Sequence, residues 1–418
     1  MIAPNVLFIS GGIGLGHVTR DLRIAAALRA RCPGCRLVWL AADPARGVLR
    51  ASGEELLPES QRYTDATPAL EKMAGRFGVH LTNPIHMLKM VGSFKELVRY
   101  FRSRKTNLGI FKQVTERERF DLIIGDESYD IGVALANNPA LKRAPFAMIH
   151  DFVGYEATSR NPLEWVWAQM MNSWWPRHLR RLSAAHDLSL FVGEKEDVPE
   201  KMFGLFLPNR RKPARAAMRY VGYICQSDSA DCRDRARLRE RLGYGPEPLV
   251  LCSIGGTAIG KALLELCGRA YPLIKKELPD LRMVLVCGPR LSPDGLRAPK
   301  GVDRRGYVHG LYEHLAACDL AIVQGGGTTT LELVALRRPF LYFPLEGHFE
   351  QQFHVARRLE RHGAGVRLRY RATTPERLAV EVLANIAGEV RYPPIATDGA
   401  RNAAEFLHEV MGAHRGTA

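Results

Sequence analysis

Three glycine-bearing turns, each following a hydrophobic run, hold the residues of this sequence that could do chemistry. The first reads Gly11-Gly12-Ile13-Gly14-Leu15-Gly16-His17, directly after Val6 to Ser10. Glycines there let the backbone turn tightly and let a ligand approach without a Cβ in the way. His17 closes the turn, and an imidazole is the side chain best suited to accept a proton from a hydroxyl near neutral pH. Asp126 ends the apolar run Leu122-Ile123-Ile124-Gly125, and a carboxylate so placed can orient such a base and stabilise its cation. Structural alternatives stand beside both readings: a helix-terminal hydrogen bond for His17 and a helix N-cap for Asp126. A dinucleotide fingerprint is a further alternative, since Gly12 and Gly14 are correctly spaced and Asp43 follows the next strand; His17, however, falls where the third glycine belongs.

The second turn, Gly255-Gly256-Thr257, precedes a helical pattern from Ala262 to Lys275. Backbone amides at a strand-to-helix turn suit an anionic diphosphate, and the Thr257 hydroxyl adds a donor. A purely structural tight turn is the competing reading. The third stretch is the most informative: Gln324-Gly325-Gly326-Gly327-Thr328-Thr329-Thr330-Leu331-Glu332, then Pro344, then Gln351-Gln352. Three glycines leave a strand and a helix starts under the threonines, which makes a second phosphate cradle. Glu332 lies one helical turn inside, where a carboxylate can accept from both hydroxyls of a ribose. The two glutamines offer uncharged donors and acceptors suited to sugar hydroxyls.

The stretch from Gln324 to Gln352 resembles the donor-binding signature of GT-B glycosyltransferases, especially the N-acetylglucosaminyltransferase family that makes lipid II, and also the UDP-glycosyltransferases. That resemblance implies ribose binding by Glu332, phosphate contacts from Gly326, Gly327, Thr328 and Thr329, and sugar contacts from Gln351 and Gln352. It places the base of the nucleotide at the backbone of Tyr307 to Leu311, His309 included. It also implies an acceptor-side role for Gly12, Gly14 and Gly16, with His17 and Asp126 as catalytic residues. The expected activity is transfer of a sugar from a nucleotide-sugar, a UDP-sugar first, to a hydroxyl of a lipid or small-molecule acceptor, with inversion. No cofactor or metal is expected, because the donor turn lacks an acidic pair to hold a divalent ion. Two departures stand out: Gln324 occupies a place where relatives carry histidine or arginine, and Phe349 one where an acidic sugar contact is expected. Competing functions are a UDP-N-acetylglucosamine 2-epimerase and a non-catalytic sugar-nucleotide-binding subunit.

The elements that must position these residues alternate between short β-branched runs and helical patterns, the signature of parallel sheets with crossover helices. Strands are expected at Val6 to Ser10, Leu37 to Ala41, Leu122 to Gly125, Phe146 to His150 and Leu188 to Val192. A second series lies at Leu249 to Ile254, Met283 to Cys287, Leu320 to Val323 and Phe340 to Phe343. The fold class is therefore α/β, with two facing Rossmann-like domains and a cleft between them. A chain of 418 residues exceeds what one hydrophobic core usually fills. The boundaries predicted are 1–222, 223–395, and a last helix within 396–418 that is a candidate to return to the first domain.

Composition narrows the partners. With 59 Lys and Arg against 44 Asp and Glu, the net charge is +15, which favours phosphate-bearing ligands or an anionic membrane surface. Nucleic acid is not an expected partner, since no reader motif organises the basic residues. Trp165, Trp167, Trp174 and Trp175 sit near Arg177, Arg180 and Arg181, and Met87 to Phe111 mixes apolar and basic residues likewise; these segments read either as core or as a membrane-facing surface. No run of about 18 apolar residues occurs and Met1 to Ser10 lacks a secretory pattern, so a cytoplasmic location, peripheral on the inner face of the membrane at most, is expected. Cys32 and Cys35 have redox spacing but follow a helix instead of opening one, and the eight cysteines read mainly as small hydrophobes.

Overall fold

Residues 3–11, 14–64, 94–226, 232 and 234–417 are described by the computed structural model. Short apolar runs too brief for a helix become parallel strands in two separate sheets. The first contains β1 (Asn5–Ile9), β2 (Arg36–Leu40), β3 (Glu55–Leu56), β4 (Leu122–Asp126), β5 (Phe146–His150), β6 (Leu188–Val192) and β7 (Arg219–Gly222). Their spatial order is β3-β2-β1-β4-β5-β6-β7. Side chains along β1 alternate between two cores: Val6 and Phe8 meet Val18, Ile24 and Leu28 of the Leu15–Arg31 helix on one face. Leu7 and Ile9 meet Phe111, Val114, Ile131 and Leu135 on the other. Both faces are thus covered, which is why these strands read as continuous hydrophobic runs.

The last helix, Gly399–Thr417, joins the first of these cores through Ala403, Leu407 and Met411, all buried. It is anchored where Ile224 bridges Asp398 and where Gly399 N donates to Tyr223 O at 2.9 Å. A Cβ on Gly399 would lie 2.6 Å from that carbonyl, so only glycine lets the helix start here. The chain accordingly divides into one unit that ends at Ile224 and resumes at Asp398, and another that runs from Cys225 to Thr397.

The second sheet holds β8 (Leu249–Ser253), β9 (Arg282–Val286), β10 (Asp303–Arg305), β11 (Leu320–Gln324), β12 (Phe340–Phe343) and β13 (Val366–Arg367). Its order is β10-β9-β8-β11-β12-β13. Val250 and Cys252 face the Lys261–Glu277 helix, while Leu249 and Leu251 face Leu315, Leu333 and Leu359. In each sheet the strand order reverses once, between β1 and β4 and between β8 and β11. Such a switch point opens a crevice at the carboxyl ends of the two strands, where ligands of α/β sheets bind. The turns after β1, β8 and β11 carry the glycine motifs, and Asp126 ends β4. Each of the eight cysteines is a free thiol, and all but Cys32 are buried.

Candidate active site

At the first switch point, the chain leaves β1 at Ser10 and enters the Leu15–Arg31 helix through Gly14, whose φ of 147° only glycine adopts without strain. The helix starts at Leu15, earlier than the glycines suggested, so Gly16 and His17 lie in its first turn. Gly12 lies outside the described residues. Ser10 Oγ donates to Asp21 Oδ2 at 2.6 Å, tying the end of β1 to the second turn of the helix. Asp21 is fully buried, and burial together with the charge of Asp126 raises its pKa well above the usual carboxylate range.

His17 Nδ1 stands 2.6 Å from Asp126 Oδ2. The aspartate is buried and the imidazole 16% exposed. Asp126 is not the helix N-cap of the alternative reading but an ion-paired carboxylate: the Tyr129–Asn137 helix has Ser128 at its N-cap. Arg20, one turn along the helix from His17, completes the group. Its Nη2 donates to Asp126 Oδ1 at 2.5 Å and lies 3.0 Å from His17 Nδ1, while Nη1 donates to Asp151 Oδ2 at 3.3 Å. Two N–H donors cannot bond one another, so the consistent tautomer has Nδ1–H of His17 donating to Asp126 and leaves Nε2 for a substrate.

Burial works against charge on His17, but the charge of Asp126, its hydrogen bond and Asp151 outweigh burial and Arg20, and the pKa is pushed up to about 9. Burial would raise Asp126, yet Arg20 and His17 hold it below its ordinary value. Asp151 is lowered in the same manner, against burial, by Arg20, by a hydrogen bond with Glu127 and by His17. Glu127 itself adopts φ of 46°, a strained left-handed backbone that sits beside the histidine. His17, Glu127 and Asp151 bring ligand atoms within 4.8 Å of one another. Arg20 supplies there the positive charge that two carboxylates would otherwise draw from a cation.

Arg20, Glu127 and Asp151 were not singled out from the sequence. The available signals were position alone: Arg20 follows His17 by three residues on one helix face, and Asp151 follows β5 as Glu127 follows β4. Asp43, the alternative ribose acid, pairs with Arg46.

At the second switch point three loops gather at the carboxyl ends of β8, β11 and β12. Gly255 takes φ of 71°, and Gly256 and Thr257 follow it into a short 3-10 turn, Ala258–Gly260. The Lys261–Glu277 helix therefore begins four residues beyond Thr257, one residue before the start expected at Ala262. Gln324, at the end of β11, bridges this loop: in the amide orientation that satisfies both groups, Nε2 donates to Ile254 O at 3.0 Å and Oε1 accepts from Gly260 N at 3.1 Å. This glutamine thus holds the glycine loop after β8 to the strand that feeds the glycine loop after β11.

The Gly327–Ala335 helix has Gly326 at its N-cap and no side chain capping it, so the first-turn amides of Gly327, Thr328 and Thr329 face outward. A Cβ on Gly326 would meet nothing within 4 Å, and its φ is −69°. The fold does not require glycine there; an approaching ligand would. Thr330 Oγ1 instead turns back to Gly326 O at 2.9 Å. Glu332 is buried, and its Oε1 accepts from Gln226 N at 2.5 Å. Gln351 Oε1 accepts from Leu345 N at 2.9 Å, and Gln352 Nε2 donates to Pro344 O and Leu345 O, both at 3.0 Å. The glutamine pair therefore builds the turn after β12. Phe349, where an acid was expected, is fully buried against His354. His309 is exposed and lies between β10 and the Leu311–Ala317 helix.

Residues 250–408 match the family model described as "Glycosyltransferase family 28 C-terminal domain". The UDP-N-acetylglucosamine--N-acetylmuramyl-(pentapeptide) pyrophosphoryl-undecaprenol N-acetylglucosamine transferase of Carboxydothermus hydrogenoformans is 32% identical over 155 residues, 36% of this chain and 42% of its own. The chain thus matches about two fifths of that relative's length. The transferase of the same name from Symbiobacterium thermophilum is 25% identical over 381 residues, covering 89% of this chain and 85% of the relative. Among solved structures, the "Glycotransferase of kitacinnamycin" superposes with a TM-score of 0.58 at 15% identity, over 99% of this chain and 96% of that one. The fold is that of the GT-B glycosyltransferases. Within that class the chain resembles the lipid II-forming N-acetylglucosaminyltransferases and the UDP-glycosyltransferases.

Proposed function

We propose that the protein transfers a sugar from a nucleotide-sugar, a UDP-sugar in the first instance, to a hydroxyl of a lipid or amphipathic small molecule, with inversion. The observation that carries this reading is the His17–Asp126 pair at 2.6 Å, at the switch point of one sheet. It is joined by uncapped amides at the switch point of the other, inside the segment that matches a glycosyltransferase model.

His17 Nε2 accepts the acceptor's hydroxyl proton as that oxygen bonds to the anomeric carbon. The bond from that carbon to the diphosphate breaks, and the nucleoside diphosphate leaves. Amides of Gly256, Gly327, Thr328 and Thr329 stabilise its developing charge without a metal. Glu332 exchanges the Gln226 amide for ribose hydroxyls, and Gln351 and Gln352 shape the turn that meets the sugar. Gly14 and Gly16 keep the acceptor side open. Incubation with UDP-N-acetylglucosamine and other UDP- and TDP-sugars tests this: product formation must depend on a lipid or small-molecule acceptor. Conversion of the nucleotide-sugar without acceptor would point to an epimerase, and no turnover with any acceptor to a binding subunit.

An anionic membrane is the proposed place of work. On the Pro162–Ala185 helix, Leu163, Trp165, Val166 and Met170 are exposed, and beside it Leu205 and Phe206 form a tip on which Phe206 is fully exposed. The two are joined where Leu205 N donates to Gln169 Oε1 at 3.2 Å. Trp175, by contrast, is core, packed among Tyr129, Phe152 and Tyr155; the side chain of Trp174 and those from Phe94 to Leu97 lie outside what is described. No helix among the described residues is long and apolar enough to cross a membrane. Sedimentation with anionic vesicles at low salt checks this, and Phe206→Ser should weaken it.

A further inference from the structure

We propose that Arg20 is the positioning residue of the base: a buried fork that fixes the Asp126 carboxylate against His17 and sets a fixed positive charge beside the imidazole. The inference rests on the reading of His17 as base, and it concerns how that base is held.

The geometry is specific. Arg20 is 6% exposed and its two terminal nitrogens reach two different strands' ends, Asp126 at the end of β4 and Asp151 just after β5. With one oxygen of Asp126 occupied by Arg20, the other is presented to His17 Nδ1, and the carboxylate cannot rotate without breaking a charge-assisted hydrogen bond. A lysine donates from a single nitrogen and lacks the rigid plane that holds two separate nitrogens against Asp126 and Asp151. The third contact, Nη2 at 3.0 Å from His17 Nδ1, brings like charges together whenever the imidazole is protonated.

The charged and titratable groups that face His17 from each neighbouring element are Asp126 and Glu127 at β4, Asp151 at β5, and Arg20 and Asp21 on its own helix. Two of the carboxyl groups, Asp126 and Asp151, tend to lock His17 as its cation, a form that cannot accept a proton. Arg20 is the group that opposes them, and without it the base would be further from its working form. The raised His17 pKa is the balance that remains.

Imidazole titration by NMR in histidine-labelled protein, with His17→Gln to assign the resonance, reads this directly. In Arg20→Gln the His17 midpoint should move up by about 1 pH unit. In Arg20→Lys the charge stays and the midpoint should hold, while kcat falls about tenfold and the donor KM does not change, because the fork is lost. An unmoved midpoint in a folded Arg20→Gln protein would overturn the charge role. If that variant does not fold, unaltered kcat in Arg20→Lys overturns the clamp. The titration needs no turnover, so it is independent of the transferase reading, which fails separately if His17→Ala leaves sugar transfer intact.

Discussion

The two switch points solve the problem of holding a polar group at the end of a buried strand in opposite ways. At β1 and β4 the solution is ionic: His17, Arg20, Asp126 and Asp151 lie within hydrogen-bonding reach, and the two carboxylates compensate the two cations. At β8, β11 and β12 it is neutral: backbone amides, threonine hydroxyls, and the amides of Gln324, Gln351 and Gln352 stitch the loops together. A buried ionic cluster ties function to pH and loses much when one member is removed. A lattice of amides is indifferent to pH and tolerates small changes. On the proposed function, proton chemistry falls to the ionic cluster and anion binding to the neutral one.

The largest effect should follow His17→Ala, which removes the base and lowers kcat by about 10²- to 10⁴-fold, while UDP still raises the melting temperature as in the parent protein. Loss of both would mean that the histidine serves the fold. Leu407→Ala, in the core shared by the first and last helices, should cost about 2–5 kcal/mol in denaturant unfolding. It should leave nucleotide binding to the folded fraction unchanged. The third contrast is pH. With His17 titrating at about 9, the fraction of neutral base rises roughly 50-fold between pH 7 and pH 9, and kcat/KM for the acceptor should climb with it. The donor's KM should stay within about threefold over that range, since its contacts are amides. The sign for stability is opposite: a pKa raised above the ordinary 6.5 stabilises the fold fully below that pH and loses the contribution as pH passes about 9. Alkaline conditions should therefore quicken the enzyme while loosening its first unit. The smallest effect belongs to Gly326→Ala, where the fold has room for a methyl group. Stability should change by about 1 kcal/mol at most, and donor KM should rise about tenfold as the methyl meets the phosphate.

Much of this architecture was readable from residue pattern. Long apolar runs such as Leu249–Ser253 and Leu188–Val192 can only be buried strands between helices, and the glycine pairs after Ile9 and Ile254 mark where each sheet turns. The two- and three-residue edge strands β3, β10 and β13 escaped, because a period of two cannot be recognised over so few residues. Pairing of His17 with Asp126 could be anticipated, since a glycine turn after one apolar run and the end of another offer a base and a carboxylate to orient it. Arg20 and Asp151 could not, because an arginine inside an amphipathic helix looks like one more solvated cation until the fold seals it between two carboxylates. The same applies to Gln324, whose task as a brace between loops depends on the distance from β11 to Gly260. Local sequence reports which face a residue occupies; it does not report which charges converge there.

The return of the chain at Asp398 has a consequence for how the protein is made. The helix that carries His17 and Arg20 emerges from the ribosome well before its partner, Gly399–Thr417. The Cys225–Thr397 unit is contiguous and can fold while synthesis continues. The unit that carries His17 must wait with an apolar face uncovered until the Gly399–Thr417 helix arrives, so newborn chains are most vulnerable there.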